Sequence, residues 1–509
     1  MIELSLTEIA QITGGYLDSV DDPEAKVTGF VEFDSRKITP GGLFLAFPGA
    51  RVDGHDFAHQ AIERGAVAVL SARPVGVPAI VIEPTGKVTG EAANADIYAH
   101  DADGSAAAVI RGLSALAREV TQRLIEKHGL NIIGITGSAG KTSTKDLIAS
   151  IVRSEGETVA PPGSFNNELG HPYTALRCDA ETQFLVAELS ARGIGHIRYL
   201  ADIATPRIGV VLNVGSAHLG EFGSRENIAQ AKGELVEALP QASEGGVAVL
   251  NADDPFVAAM AQRTQAKVVT YSAAQPPARG ADYYATDIEL DDVARPSFTL
   301  HTPHEDPVAI KLQVFGIHQV SNAMAAAAAA AESGVCVGHI TSALGGHRVA
   351  SAHRMDVTTR DDGVTIINDS YNANPDSMRA AIAALGYTAA ARPDARSIAV
   401  LGEMGELGAE GIEAHRELGS ELAKYHVDYL AVVGRTPNGE AMAEAALARG
   451  INTTVCADVS EATSLVDEVL RTYPPGAEDW AQREAKDVVL VKASNAARLW
   501  QVAENLIHR

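Results

Sequence analysis

Cysteine is scarce in this 509-residue chain. The three cysteines, Cys178, Cys336 and Cys456, lie far apart, with no C-x-x-C spacing. A disulfide framework and a structural zinc site both depend on paired or closely spaced thiols, so this pattern argues against both. The sequence therefore fits a reducing compartment, and we expect each cysteine to be a small buried apolar residue.

A surplus of positive charge and long hydrophobic runs are also missing. The chain carries 41 Lys and Arg against 65 Asp and Glu, a formal net charge of −24. Phosphate backbones and anionic lipids attract Lys and Arg, so this balance disfavours a nucleic-acid or membrane-surface binder. No apolar run approaches the ~20 residues of a membrane span, and no signal peptide is visible. We expect a cytoplasmic protein without a nucleic-acid partner and without stable membrane insertion.

The composition that is present is typical of a globular enzyme with many tight turns. Hydrophobic residues make up 46% and Gly occurs 46 times, which favours alternating strands and helices over a helical bundle. The length indicates about three or four domains. We predict three: residues 1–110, with a loop or insertion at about 83–105, then residues 111–351 and residues 352–509.

Short apolar runs that alternate with helical stretches predict α/β folds with parallel sheets in the second and third domains. In the first domain, strands are predicted at residues 27–33 and 43–47. Polar residues 275–312 predict additional strands at the edge of the second domain. The other predicted strands are residues 132–136, 184–189, 208–214, 247–250, 364–368, 397–401, 429–433 and 488–491.

The most informative segment is a Gly-rich turn between a predicted strand and a predicted helix at residues 141–153. Its glycines let successive backbone N–H groups point into one concavity, and the helix N-terminus adds partial positive charge. Lys141 would neutralise the β- and γ-phosphates, and the Thr142 hydroxyl would ligate Mg²⁺. The turn is shorter than the longer phosphate-loop pattern, because Ile135 stands at the first glycine position of that pattern. A purely structural turn is the weaker interpretation. The predicted nucleoside triphosphate contacts are Gly137, Ser138, Ala139, Gly140, Lys141, Thr142 and Ser143.

Further polar residues follow the ends of predicted strands, where ligands bind in open α/β sheets. Glu188 ends one strand, and a carboxylate there can hold a divalent metal through oxygen. His218 lies just beyond the next strand, which favours a metal or phosphate role over a structural one. Lys232 lies on a predicted helix that starts near Arg225, and spacing alone favours an ordinary solvated lysine.

With these residues in place, the chain resembles the Mur ligase family over nearly its whole length. Any one of the matching segments could be accidental, but their number and order are highly specific. They are residues 33–46 (FDSRKITPGGLFLA), 53–57 (DGHDF), 137–142 (GSAGKT), 165–170 (FNNELG), 217–224 (AHLGEFGS), 231–234 (AKGE), 318–322 (HQVSN), 369–377 (DSYNANPDS) and 402–408 (GEMGELG).

The resemblance implies an α/β protein of three domains: a small N-terminal domain for a UDP-linked substrate, a central phosphate-loop ATPase domain and a C-terminal Rossmann-like domain. It implies ATP and Mg²⁺ as cofactors, with the metal at Thr142, Glu188 and His218. It also implies that Lys232 matches a lysine that is carbamylated in these ligases.

The same resemblance implies roles for residues outside the phosphate loop. Asn322 would contact adenine, Arg354 the nucleotide phosphates and Asp369 the ribose. The UDP-linked substrate would be bound by Ser35, Arg36, Asn166 and Asn167. The chain departs from the family pattern at Gln319 and in residues 491–498, which leaves the substrate contacts near Lys492 open.

The implied activity is ATP-dependent amide-bond formation through an acyl phosphate in peptidoglycan precursor synthesis. We expect a monomer acting on small molecules, with UDP-N-acetylmuramoyl-tripeptide as acceptor and D-alanyl-D-alanine as donor. The alternatives are a neighbouring ligase that adds the third amino acid, a folylpolyglutamate-type ligase, or a P-loop ATPase that serves as a regulatory module. Residues 33–46 and 53–57 favour the dipeptide-adding enzyme.

Overall fold

The computed structural model describes residues 1–49, 52–86, 98, 101–161, 163–215, 219–349, 351–472 and 487–508. Within these ranges the chain forms one mainly parallel sheet in each of three successive regions, with helices packed against them. This confirms the predicted α/β fold class. Most of the predicted insertion at residues 83–105, as well as His218, lies outside the described residues.

The N-terminal region contains a five-stranded sheet of order β2-β7-β6-β5-β4 and a two-stranded antiparallel sheet of β1 and β3. In the larger sheet only β2 is antiparallel to its neighbour. Its elements are β1 (Leu4–Ser5), α1 (Leu6–Thr13), β2 (Tyr16–Asp18), β3 (Lys26–Val27), β4 (Val31–Glu32), β5 (Leu43–Leu45), α2 (Ala58–Glu63), β6 (Ala68–Ser71) and β7 (Ala79–Val81).

The prediction of one strand over residues 27–33 was wrong, because β3 and β4 belong to different sheets. Between them, the N–H groups of Thr28 and Gly29 both donate to the Gly41 carbonyl, at 3.0 and 2.9 Å. A Cβ on Gly29 would lie 2.7 Å from the backbone nitrogen of Gly42. The chain therefore turns here against the segment before β5 instead of continuing along a sheet.

Helix α3 (Ser105–His128) links the N-terminal region to the central one. It packs on α1 and β6 of the first region and on two helices of the second. It ends where Gly129 adopts the left-handed conformation at φ +70° and caps the last turn. Although α3 has 24 residues, none of the described helices combines the length and apolar character that crossing a membrane requires.

The central region is built on a nine-stranded sheet of order β16-β15-β14-β13-β12-β11-β8-β10-β9. The strands are parallel from β9 to β14, whereas β15 and β16 add an antiparallel edge, as the polar residues 275–312 predicted. Its strands are β8 (Asn131–Thr136), β9 (Thr158–Val159), β10 (Phe184–Glu188), β11 (Ile208–Val211), β12 (Val247–Asn251), β13 (Lys267–Ser272), β14 (Tyr283–Leu290), β15 (Pro296–His301) and β16 (Val308–Lys311).

Both faces of the central sheet are buried under helices. Ile132 of β8 lies in the core shared with the N-terminal region, and Ile133 lies in a second core on the opposite face. The helices are α4 (Lys141–Val152), α5 (Gly170–Ala175), α6 (His196–Ile203), α7 (Leu219–Phe222), α8 (Arg225–Glu237), α9 (Pro255–Ala258), α10 (His318–Glu332) and α11 (Val337–Gly346).

The C-terminal region has a six-stranded sheet of order β17-β18-β22-β19-β20-β21, parallel except for β17. The strands are β17 (Asp356–Thr359), β18 (Thr365–Asn368), β19 (Ser397–Leu401), β20 (Tyr429–Val433), β21 (Asn452–Cys456) and β22 (Val488–Lys492). The helices are α12 (Pro375–Ala390), α13 (Gly411–Glu421), α14 (Pro437–Ala448), α15 (Val459–Arg471) and α16 (Trp500–Ile507).

Candidate nucleotide and metal site

The Gly-rich turn connects the carboxyl end of β8 to the N-terminus of α4. Gly140 has φ +84°, and a Cβ on it would lie 2.5 Å from Oδ1 of Asn322. Only glycine fits such a position without strain and without displacing a neighbour. The Lys141 ammonium folds back over the turn and donates to the Gly137 carbonyl at 2.7 Å. The turn is therefore compact, with a cation at the helix N-terminus.

Asn213, which the sequence analysis missed, holds this turn from the neighbouring strand β11. Its Oδ1 accepts from the N–H groups of Ser138 and Ala139, both at 2.9 Å, and its Nδ2 donates to the Ala139 carbonyl at 3.1 Å. The Ser138 hydroxyl accepts from the Gly215 N–H at 2.9 Å. The sequence position of Asn213 could have indicated this role, because it follows the end of β11 by two residues and β11 pairs with β8 in the sheet.

A hydroxyl and a carboxylate meet beside the turn. Thr142 donates through Oγ1 to Oε2 of Glu188 at 2.8 Å, and Asn166 donates to Oε1 of the same carboxylate at 2.7 Å. Thr142 and Glu188 are each only 1% exposed. Hydroxyl and carboxylate oxygens are the ligands that Mg²⁺ takes in phosphate sites, so the two residues fit this metal.

These two oxygens form an incomplete metal site, because the third predicted ligand, His218, lies outside the described residues. In the part of the chain that the structure describes, no group of three His, Cys, Asp or Glu side chains is close enough to hold a metal ion. The chemistry of the oxygen pair supports a metal there, and the contribution of His218 stays a prediction.

Ser164 links the metal pair to the start of the C-terminal region. Its Oγ lies 3.3 Å from Oγ1 of Thr142 and accepts from Arg354 at 2.7 Å. The Arg354 guanidinium also lies over the Tyr371 ring, 4.1 Å from its centroid. The buried Lys145 fixes the segment before Ser164 by donating to the Gly163 carbonyl at 3.0 Å. Ser164 and Lys145 were not predicted.

Two buried amines give the site its electrostatic character. Burial lowers the pKa of Lys141, and the nearby Arg354 charge lowers it further, against an opposing effect of Glu188. Burial, followed by the charge of Lys141, lowers the pKa of Lys232 well below its usual value. Because charging both amines is unfavourable in this environment, an anion bound between them would be strongly stabilising.

The C-terminal wall of the site is organised around Asp369. Lys492, at the end of β22, donates from Nζ to Oδ2 of Asp369 at 2.5 Å and to the Asn372 carbonyl at 2.8 Å. The Met355 N–H donates to Oδ1 of Asp369 at 3.0 Å. Lys492 thus has a defined partner although the segment around it departs from the family pattern.

A cavity of about 690 Å³ joins these groups. The predicted residues in its lining are Ser138, Ala139, Gly140, Lys141, Thr142, Ser143, Asn166, Asn167, Glu188, Asn322, Arg354 and Asp369. Asn322 donates to the Gln319 side chain at 2.9 Å, so the unusual Gln319 positions the amide predicted to contact adenine. Oδ1 of Asn167 accepts from the Gly170 N–H at 2.9 Å.

Four predicted residues that the structure describes lie outside this lining: Gly137, whose carbonyl accepts from Lys141 within the phosphate turn, Lys232, Ser35 and Arg36. Lys232 is buried on α8 outside the cavity lining. Ser35 lies in the N-terminal region and donates to Gln60 at 2.7 Å. The neighbouring Arg36 is exposed and donates twice to Asp34, both at 2.9 Å, which lowers the pKa of that carboxyl to about 2. The structure therefore separates the predicted UDP contacts of the N-terminal region from the phosphate turn.

Three features define a nucleotide-dependent α/β enzyme. They are a phosphate-type turn at the centre of a parallel sheet, a buried hydroxyl–carboxylate pair, and a C-terminal region that faces them across the cavity. Three protein-family models match the chain: the Mur ligase family catalytic domain at residues 28–123, the Mur ligase middle domain at 135–330, and the Mur ligase glutamate ligase domain at 353–495. The chain belongs to the Mur ligase family.

Individual relatives extend the similarity over the whole chain. The sequence is 51% identical over 526 residues to UDP-N-acetylmuramoyl-tripeptide–D-alanyl-D-alanine ligase of Mycobacterium tuberculosis (strain ATCC 25618 / H37Rv), covering 100% of this chain and 98% of the relative. The ligase of the same name from Escherichia coli (strain K12) is 33% identical, covering 86% of this chain and 87% of the relative.

Solved structures agree with the sequence comparison. MurF from Acinetobacter baumannii has a TM-score of 0.81 at 28% identity, covering 100% of this chain and 99% of that one. MurF ligase from Thermotoga maritima in complex with ADP has a TM-score of 0.71 at 26% identity, covering 94% and 97%. The three-region α/β architecture is therefore that of these ligases.

Proposed function

We propose that this chain is the ATP-dependent ligase that joins D-alanyl-D-alanine to UDP-N-acetylmuramoyl-tripeptide in peptidoglycan precursor synthesis. The observation that carries the proposal is the arrangement of Lys141, Thr142 and Glu188 at adjacent strand ends, facing Arg354 and Asp369 across one cavity. Full-length similarity to curated ligases of that name supports the choice of substrates.

The chemistry requires two anions to approach each other, the acceptor carboxylate and the γ-phosphate of ATP. Fixed cations lower this barrier, since they stabilise the charge that develops in the transition state. Lys141 and Arg354 are the cations that this chain places beside the phosphate turn. Thr142 and Glu188 would hold Mg²⁺, together with His218, and the bound metal would neutralise phosphate oxygens. Attack gives an acyl phosphate and ADP; the donor amine then displaces inorganic phosphate.

The remaining predicted contacts divide between the two ligands. Asn322 and Asp369 lie on opposite walls of the cavity, a placement that supports contacts with adenine and ribose. Asn166 donates to Glu188 and Asn167 lines the same cavity, which supports acceptor contacts there, whereas Ser35 and Arg36 of the N-terminal region would bind the UDP portion. We therefore place the acceptor along a path from the N-terminal sheet to Glu188.

A carbamate on Lys232 is a further part of the proposal. Burial and the charge of Lys141 lower the pKa of Lys232, which favours the neutral amine that reacts with CO₂. Carbamylation would place an anion next to Lys141, a change that the local charge favours.

The proposal includes a monomer in the cytoplasm, with domains at residues 1–110, 111–351 and 352–509. The three cysteines are free thiols, which supports a reducing compartment.

The test is ADP formation by the purified chain with ATP, Mg²⁺ and UDP-N-acetylmuramoyl-tripeptide, with and without D-alanyl-D-alanine. Lys141→Ala should lower the rate at least about 100-fold, since it removes a preorganised cation, and leave the thermal unfolding profile of the N-terminal region unchanged. Lys267→Ala, which changes an exposed lysine of the same sheet, is the control and should retain the rate.

Three outcomes would contradict the proposal. An active Lys141→Ala enzyme would refute the role of the phosphate turn. A preference for single amino acids would indicate a ligase that adds the third residue. ATP hydrolysis that requires neither donor nor acceptor would indicate a regulatory ATPase.

A further inference from the structure

The cavity contains one ion pair that the proposed nucleotide and metal contacts leave unexplained. Arg192 donates from its guanidinium to Oε1 of Glu406 at 3.0 Å, across the gap between the central and C-terminal regions. Both side chains line the cavity and are about one-third exposed, at 34% and 38%. A pair exposed to this degree contributes little stability, so stability alone does not account for it.

The other charged groups of the lining have defined partners. Four cationic side chains, Lys141, Arg192, Arg354 and Lys492, line the part of the cavity that the structure describes. Lys141 lies over the phosphate turn, Arg354 bonds to Ser164, and Lys492 pairs with Asp369. Arg192 differs from these cations because it lies between carboxylates of the central and C-terminal regions, 4.0 Å from Glu221 and 3.0 Å from Glu406.

The backbone at Glu406 also indicates a constrained position. Glu406 has φ +63°, in the left-handed region that non-glycine residues rarely adopt. Strained residues of this kind persist only where the surroundings hold them, and they cluster at ligand sites. The carboxylate of Glu406 also acts on the charge of Lys141, which places it towards the phosphate end of the cavity.

We propose that Arg192 and Glu406 form the subsite for the zwitterionic amine donor, with Glu406 binding its ammonium and Arg192 its carboxylate. This inference rests on the proposed function, because it specifies how that donor is recognised. The donor's two charges replace the two halves of the ion pair, so the exchange leaves no unpaired charge. Arg is suited to the carboxylate, which it can bind through two parallel hydrogen bonds.

The subsite also accounts for the direction in which the donor lies. Glu406 would hold the amine end near Lys141, where the acyl phosphate would form. Arg192 and Glu406 lie 3.0 Å apart in this structure, whereas an extended dipeptide spans roughly 7 Å, so the two side chains must separate when the donor binds.

The experiment measures the KM of two donors, D-alanyl-D-alanine and its C-terminal amide, for the full-length enzyme with ATP, Mg²⁺ and the acceptor. The variants are Arg192→Met and Glu406→Gln. Arg198→Met is the matched control, because Arg198 forms a comparable ion pair with Glu237 on α6 and α8, outside the cavity lining. Charge-assisted hydrogen bonds justify an expected effect of about 10-fold or more per lost contact.

The wild type should prefer the acid over the amide by about 10-fold. Arg192→Met should raise the KM of the acid to that of the amide, so the preference disappears. Glu406→Gln should raise the KM of both donors by the same factor, since both carry the ammonium. The KM values for ATP and acceptor should stay within about twofold of wild type, and Arg198→Met should match the wild type throughout.

The subsite would be overturned by an Arg192→Met enzyme that keeps the wild-type preference for the acid. It would also be overturned if both variants raised the KM of ATP and of the acceptor as much as the KM of the donor. That result would show that the ion pair serves only to close the domains. A wild-type enzyme that forms no product with either donor would instead refute the proposed function itself, before any variant is compared.

Discussion

At the scale of single residues, the charge of the site depends on two buried amines, those of Lys141 and Lys232. Burial lowers the pKa of both Lys141 and Lys232, and the charge of Lys141 lowers that of Lys232 further. A poorly solvated amine is charged more easily when an anion is close. The site is therefore suited to the negative charge of a phosphate chain, and the proposed carbamate on Lys232 would add a second anion.

Supply of ¹³C-labelled bicarbonate should produce a carbamate carbon signal in the NMR spectrum of the wild-type enzyme. Lys232→Met should lack the signal and lose most of the activity. The pKa of Lys232 is lowered, which favours the neutral amine that reacts with CO₂, and acid protonates this amine. The signal should therefore persist at neutral pH and disappear on acidification. An unchanged spectrum in Lys232→Met would contradict the modification.

At this scale, the sequence predicted the residues that follow strand ends and missed those that join distant segments. Thr142 and Glu188 could be predicted, because the carboxyl ends of adjacent parallel strands meet at one edge. Ser164 acts only through contacts between segments far apart in sequence. The same applies to Lys492, whose partner Asp369 lies 123 residues earlier. No local pattern records such pairings.

At the scale of elements, the predicted and observed bounds of a strand agree best where the strand is buried. Strands β19 and β20 were predicted with their observed bounds, since fully buried parallel strands are continuous apolar runs. The turn between β3 and β4 was missed, because its cause is a contact with a neighbouring segment. The alanine run of α10 is closely packed, since Ala325 to Ala330 are all fully buried.

Ala327→Leu on α10 should lower the free energy of unfolding by about 1–3 kcal/mol, because the added atoms must enter a core with no spare volume. Urea denaturation measures this loss. Ala448→Leu, at the exposed end of α14, is the matched control and should change the free energy by less than about 0.5 kcal/mol. Equal effects at the two positions would show that α10 is loosely packed.

At the scale of the whole molecule, close contacts between the central and C-terminal regions define the active geometry. Gly220 of α7 lies against Gly408, where an added Cβ would come within 2.6 Å of a backbone nitrogen. Arg354 of the C-terminal region donates to Ser164 of the central region at 2.7 Å. Together with the Arg192–Glu406 pair, these contacts bring the two walls of the cavity together.

Gly220→Ala should separate these walls slightly and lower kcat by about 10-fold or more, since small displacements of reacting groups are costly. Small-angle X-ray scattering with ADP bound should show a larger radius of gyration than for the wild type. Gly338→Ala on α11 is the control, because nothing lies within 4 Å of its added Cβ. Wild-type kcat and radius in Gly220→Ala would show that this contact is unimportant.

The core that α3 shares with its neighbours has a consequence for the order of events. Residues of the N-terminal sheet and of one face of the central sheet belong to a single hydrophobic cluster, whereas the C-terminal sheet has clusters of its own. The acceptor and the ATP phosphates would thus bind to the N-terminal and central regions, which share one core. The C-terminal region would bring Glu406 to them. An acyl phosphate formed before the C-terminal region closes would be exposed to bulk water. Efficient turnover therefore favours donor binding and domain closure in a single step.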